Sequence, residues 1–297
     1  MNETTLNSGA VSFADMKKRS QWADVWKRLT KNKMAMIGLV LVVLIILVAI
    51  FAKFLAPYDP YQQNPAIKLQ MPSAEHLMGT DNFGRDLLSR IIYGARTSLL
   101  VALLSLVMSM VVGILLGATA GYFGGAYEAI VMRLMDIIMA IPGFLLAVSI
   151  ASALGTGTVN TALAISIGGV PTYARIVRAN VMTLREQEFV EAARATGSSH
   201  SRIIFKQILP NILAPIIVDT TLRVGANILQ ISSLSFIGLG VQSPQAEWGS
   251  IMTAGRQYIR TFWPLVTWPG VAIMATLFGF NLLGDGLRDA MDPRLKQ

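Results

Sequence analysis

The chain has 297 residues, of which 53% are hydrophobic and only 14% charged, with a formal net charge of +8. An ordinary soluble domain carries about 25% charged residues, so this one lacks the polar surface needed to stay in water as a globule. It has no cysteine, which excludes a disulfide frame, a thiolate nucleophile and a cysteine metal site.

The segment 1–12 is polar and reads as disordered. From about Phe13 to Lys33 the pattern becomes amphipathic, with Trp22, Val25, Trp26 and Leu29 at helical spacing among seven lysines and arginines. Two readings fit, a helix lying in the inner membrane interface or a solvated basic leader.

Four runs, 34–52, 97–127, 137–174 and 261–284, contain no Asp, Glu, Lys or Arg. Crossing a hydrocarbon layer of about 30 Å takes roughly 20 apolar residues, and each run reaches that length. A soluble helical bundle could not hide four of them. The first run is too long for the apolar part of a secretory leader and is expected to remain as a span.

In chain order, spans are predicted over about 34–55, 98–120, 134–154, 159–178, 212–233 and 264–284. The polar segment 57–96, with Pro57, Pro60, Pro65 and Pro72, reads as a long exposed loop. Pro142 and Pro171 interrupt the third and fourth spans, and neither is assigned a site. The organisation is therefore an N-terminal segment 1–33, a first transmembrane helix 34–56, an outer loop 57–96, a five-span core 97–288 and a tail 289–297.

Seventeen lysines and arginines fall on the side of the termini and only seven on the other. Positive charge is retained in the cytoplasm, so both termini and residues 179–211 are expected there. This distribution explains the basic balance through membrane lipid and topology, with no nucleic-acid partner.

Residues 186–210 read EQEFVEAARATGSSHSRIIFKQILP. Helices over about 186–196 and 200–208 are predicted around Gly197, with Ser198 or Ser199 as cap of the second. Inside the fifth span, Asp219 and Arg223 sit four residues apart on one helical face and could pair. Buried charges of this kind are expensive in lipid, so they read either as a self-neutralising pair or as candidates for a substrate path.

Glu191, Ala192 and Ala193, followed by Gly197 and then Ile208, Leu209 and Pro210, resemble the EAA loop of permeases in binding-protein-dependent ATP-binding-cassette (ABC) importers. Gln207 departs from the isoleucine usual at its place. Further matches are Gly79, Thr80 and Asp81 with Gly84, Arg85 and Asp86; Ser235 to Gly240 with Glu247, Trp248 and Gly249; and Phe280 to Asp289 with Asp292 and Pro293. Over about residues 20–295 the chain is similar to the C-type permeases of dipeptide and oligopeptide transport.

The resemblance implies an all-α polytopic membrane protein of about six spans in the inner membrane of a prokaryote, with the type I ABC importer permease fold. It implies that Glu191, Ala192, Ala193, Gly197, Leu209 and Pro210 couple to ATPase subunits. The implied partners are a second, B-type permease, two ATPase subunits that bind ATP and Mg, and an extracytoplasmic substrate-binding protein. The chain itself has no G-x-x-x-x-G-K-[ST] phosphate loop and is read as a transport subunit without a cofactor. A nickel or nickel-chelate importer shares most of these motifs, while an intramembrane enzyme would need catalytic groups between the spans that the sequence does not offer. His76 and His200 read as surface residues rather than metal ligands.

Overall fold

The computed structural model describes residues 21–291. The segment 1–20, with the start of the amphipathic pattern, lies outside the described residues, as do Asp292 and Pro293. Within them the chain forms twelve α-helices. They are α1 (Gln21–Leu29), α2 (Lys33–Ile50), α3 (Ala52–Leu55), α4 (Leu87–Phe123), α5 (Gly125–Met139), α6 (Gly143–Leu154), α7 (Thr158–Leu184), α8 (Glu188–Ala195), α9 (His200–Arg202), α10 (Leu213–Phe236), α11 (Trp248–Gly255) and α12 (Pro264–Met291).

Four helical stretches are long and apolar enough to cross a membrane: α2, α4, the run His200–Phe236 that ends in α10, and α12. A fifth span arises if α5 and α6 count as one, although they meet at 87°. The sequence places a third span over about 134–154, interrupted at Pro142. The helix starts earlier, at Gly125, and the interruption at Pro142 is a full break between α5 and α6. Proline disfavours helical geometry in the residue before it, and Ile141 is that residue. Pro171, by contrast, lies buried inside an unbroken α7 and interrupts nothing.

At 27 residues, about 40 Å, α7 is long enough to cross, but it is less apolar than the four stretches above. Its Arg175 and Arg178 pair with Asp136 and Glu128 of α5, and it packs closely along α4. Down α4 run Ser105, Ser109, Gly113, Gly117 and Gly121, one small residue every fourth position, hence one continuous stripe. Ser109 donates to the Ser166 carbonyl at 2.7 Å. Gly113 lies against Tyr173, Gly117 against Ala174 and Gly121 against Arg178, so the two helices run parallel with their backbones nearly touching.

In lipid there is little hydrophobic drive between helices, and such close approach supplies the attraction instead. A Cβ on Gly117 would collide with the Ala174 carbonyl oxygen. We expect Gly117→Leu to splay α4 from α7 and to cost about 1–3 kcal/mol, typical of overpacking. A drop in the detergent-solubilised chain's melting temperature, absent in Leu100→Ala on the exposed side of α4, would check it.

Residues 57–96 are not the simple exposed loop that their prolines suggested. Leu87–Arg96 already belong to α4, and before them lies a buried charged knot. Asp81 accepts from the Phe83 and Arg85 backbone N–H groups at 2.8 and 2.9 Å and from Arg85 Nε at 2.6 Å, with Arg90 Nε 3.4 Å away. Asp86 caps α4 through the Ser89 N–H at 2.7 Å, and its other oxygen lies 2.9 Å from His76 Nδ1. His76 is therefore buried, contrary to the surface position read from the sequence. Charges can be interior here because each has a partner.

A second polar joint ties down α11. Glu247 is fully buried and caps that helix, accepting from the Gly249 and Ser250 N–H groups at 2.9 and 2.8 Å. Ser98 of α4 and Ser232 of α10 each donate to it at 3.3 Å. Burial pushes its carboxyl above the usual range, while the Gly249 and Ser250 N–H groups and the Ser235 and Ser98 hydroxyls pull it back.

Candidate coupling segment and polar path

The segment after α7 folds as its residues dictate. Glu188 and Glu191 lie in the first turn of α8 and Arg194 in its last, each at the favourable end of the helix dipole. Gly197 then takes φ +77°, a left-handed geometry that favours glycine. Its N–H donates to the Arg194 carbonyl, and the Ser198 N–H to the Ala193 carbonyl, both at 3.0 Å. This pair of bonds is a Schellman stop. Ser199 occupies the cap position of α9, although its side chain makes no capping hydrogen bond, so the cap predicted there is one of backbone geometry alone.

Beyond α9 the chain tightens and loosens around a proline. Pro210 has no N–H to give to Lys206, and its ring crowds the preceding turn. The backbone answers with a π-helical stretch, Ile203–Ile208, followed by a 3-10 turn, Leu209–Ile212. The Leu209 N–H reaches back five residues to the Ile204 carbonyl, and Asn211 Nδ2 satisfies the Gln207 carbonyl at 2.6 Å. A helix of nearly continuous direction thus passes from His200 into α10.

Within this unit Glu191, Ala192 and Gly197 are exposed, Ala193 and Val190 are buried, Leu209 is half-buried and Pro210 is exposed. The buried pair faces the unit's own core, where Ile203, Ile204 and Ile208 are also buried. The outward side carries Glu188, Glu191 and Ala192. Two exposed aromatics accompany it, Phe189 and Phe205, which the sequence reading passed over. Their signal in the sequence is two aromatic side chains amid a charged segment.

Deeper in the bundle, Asp219 and Arg223 do pair, with Arg223 Nε donating to Asp219 Oδ2 at 2.5 Å. Their side chains are about a fifth and a third exposed, at 22% and 30%. The Arg223 guanidinium lies 5.6 Å from the centre of the Tyr173 ring, and Tyr173 donates to Thr220 at 3.1 Å. Asn227, one turn further along α10, donates to Ser105 Oγ of α4 at 2.9 Å. Polar groups of α4, α7 and α10 therefore converge on one region.

Two family models match the chain. Residues 113–297 match the binding-protein-dependent transport system inner membrane component, and residues 20–72 match the N-terminal TM domain of oligopeptide transport permease C. The chain belongs to the binding-protein-dependent transport family. Among its relatives is the dipeptide transport system permease protein DppC of Alkalihalophilus pseudofirmus, 47% identical over 93% of this chain and 91% of that one. Another is the di/tripeptide transport system permease protein DppC of Pseudomonas aeruginosa, 46% identical over 92% of each chain. A solved structure of the MetNI methionine ABC transporter in an inward-facing conformation shares the fold, with a TM-score of 0.55 at 17% identity, over 69% of this chain and 98% of that one. The chain is thus an all-helical ABC importer permease, a transport component and not an enzyme.

Proposed function

We propose that this permease forms, with a second B-type permease, the translocation path for short peptides. Two ATPase subunits, which hold the ATP and Mg, drive it from the cytoplasmic face, and an extracytoplasmic binding protein delivers the substrate. The peptide class rests on the relatives, which are named for dipeptide and di/tripeptide transport. The coupling role rests on one observation. A short helix with exposed Glu191 and Ala192 is closed by a Schellman turn and joined at both ends to long helices. Such a unit can receive a push on its outer side and deliver it to α7 and α10 with little loss in flexible linker. The exposed Phe189 and Phe205 suit an apolar groove on the ATPase, and Glu188 and Glu191 suit a basic rim.

The orientation in this reading follows the positive charge, with residues 1–33, 179–211 and 289–297 in the cytoplasm and 57–96 and 234–262 outside. A single cysteine introduced as Ser198→Cys should resist an impermeant thiol reagent in intact cells and react in inverted vesicles. Labelling from outside would reverse the topology.

The decisive experiment is reconstitution of the chain with its B-type permease and both ATPases in vesicles. Loaded binding protein should stimulate ATP hydrolysis and drive accumulation of a labelled dipeptide. Stimulated hydrolysis without peptide uptake would leave the importer and remove the peptide.

A further inference from the structure

The inner end of α4 holds the coupling segment by a contact that the sequence does not announce, because its two sides are 78 residues apart. Tyr122, in the last turn of α4, is buried, and its hydroxyl lies 2.9 Å from His200 Nδ1. Phe123 stands edge-on to His200 at 5.7 Å and to Tyr122 at 5.2 Å. From α8, the Arg194 guanidinium lies 5.2 Å from the centre of the Tyr122 ring. One aromatic pair on α4 therefore grips α8 through Arg194 and α9 through His200. The Gly197 turn lies between the two gripped residues.

The covalent chain connects the coupling segment to α7 on one side and α10 on the other, but not to α4. Yet α4 is packed along α7 by its small-residue stripe, and Arg185, just past the end of α7, donates to the Gly121 carbonyl at 3.0 Å. Next to that anchor sits Tyr122. A displacement of α8 and α9 toward or away from the membrane has to move Tyr122 or break its hydrogen bond with His200.

We infer that Tyr122 and His200 form a joint through which the ATPase-facing segment moves α4, so that both are positioning residues for coupling. The inference rests on the coupling role proposed above for residues 186–210. The joint acts on the work obtained per ATP and not on ATPase docking: Tyr122 is buried on α4, and His200, though exposed, lies beyond the Gly197 turn from Glu188, Glu191 and Ala192.

The test uses the complete transporter in vesicles, carrying Tyr122→Phe, His200→Ala or both. Tyr122→Phe keeps the ring and removes only the hydroxyl, which guards against a folding defect. Three quantities are measured: ATPase retained on purification, hydrolysis stimulated by binding protein, and peptide moved per ATP. Each single variant should retain its ATPases yet lower peptide per ATP by about 3- to 10-fold, the worth of one ordinary hydrogen bond. The double variant should be no worse than the poorer single, since both remove the same contact. An unchanged ratio overturns the joint, and so does loss of ATPase with a normal ratio in what remains assembled, which is the mark of a merely structural contact. Failure of the underlying reading looks different, since the wild-type chain would then hold no ATPase or would hold it equally well after Glu191→Lys.

Discussion

Gly197→Pro is expected to leave the chain inserted in the membrane and to abolish the stimulation of ATP hydrolysis by binding protein. The native residue has φ +77°, whereas proline is confined near −65°. The substitution also deletes the N–H that donates to Arg194, and with it half of the stop that ends α8. The damage is local, because Gly197 is exposed and a side chain there would meet open space. Insertion depends on the apolar helices and should be unaffected. Gly197→Ala separates geometry from bulk, since an L-residue in this conformation costs only about 1 kcal/mol and should reduce coupling without ending it. Glu191→Lys addresses the proposed docking surface. Its charge is exposed, so reversal should weaken ATPase retention while leaving the helix–turn–helix folded. Normal stimulation in both Gly197→Pro and Glu191→Lys would remove the coupling assignment. Uptake, hydrolysis and ATPase retention together distinguish the two modes of failure.

The contrast between Gly197 and Gly117 shows where the sequence is legible. Gly197 interrupts an amphipathic pattern, and a glycine in that position signals a helix end without any knowledge of neighbours. Gly117 lies in the middle of an apolar run, where the four-residue spacing of Ser109, Gly113, Gly117 and Gly121 is readable but its partner is not. Only the fold reveals that Ala174 fills the space beside it. The same limit applies to the charged knot before α4. Composition marks residues 57–86 as polar and rich in proline, properties shared by a loose loop and by a compact segment whose charges are paired. Burial of Asp81, Arg85, Asp86 and Arg90 depends on distances that spacing alone does not fix. At Pro142 the sequence signals a break but not its angle. Asp219 and Arg223 were the easier case, because helical periodicity alone brings residues four apart together.

That pair supports the second large effect, a loss of peptide uptake of about 10- to 100-fold when Asp219→Asn and Arg223→Gln are combined. A charge at the centre of a span costs about 2.5–3.5 kcal/mol, so two would not persist facing lipid. Mutual pairing answers that cost, and a pair serving only to neutralise itself would best be sealed from water. On this chain the pair keeps an open side, since both side chains retain a fifth to a third of their exposure. The hydrogen bond runs through Arg223 Nε, which leaves the terminal nitrogens of the guanidinium for another acceptor. Tyr173 on the facing α7 and Thr220 and Asn227 on α10 itself supply further polar groups. A peptide carries an ammonium at one end and a carboxylate at the other, and an acid and a base set four residues apart, about 6 Å of helix rise, offer it opposite charges. One charge-assisted hydrogen bond is worth about 1.5–3 kcal/mol, which sets the expected loss. The charge swap, Asp219→Arg with Arg223→Asp, keeps a neutral pair on the same face and reverses its direction. A pair that only holds helices together should tolerate the swap, with stability and uptake near wild type. A pair that orients substrate should keep its stability and lose uptake. If the assembled double-neutral variant moves peptide at the wild-type rate and concentration dependence, Asp219 and Arg223 lie off the path and serve the packing of α10 alone.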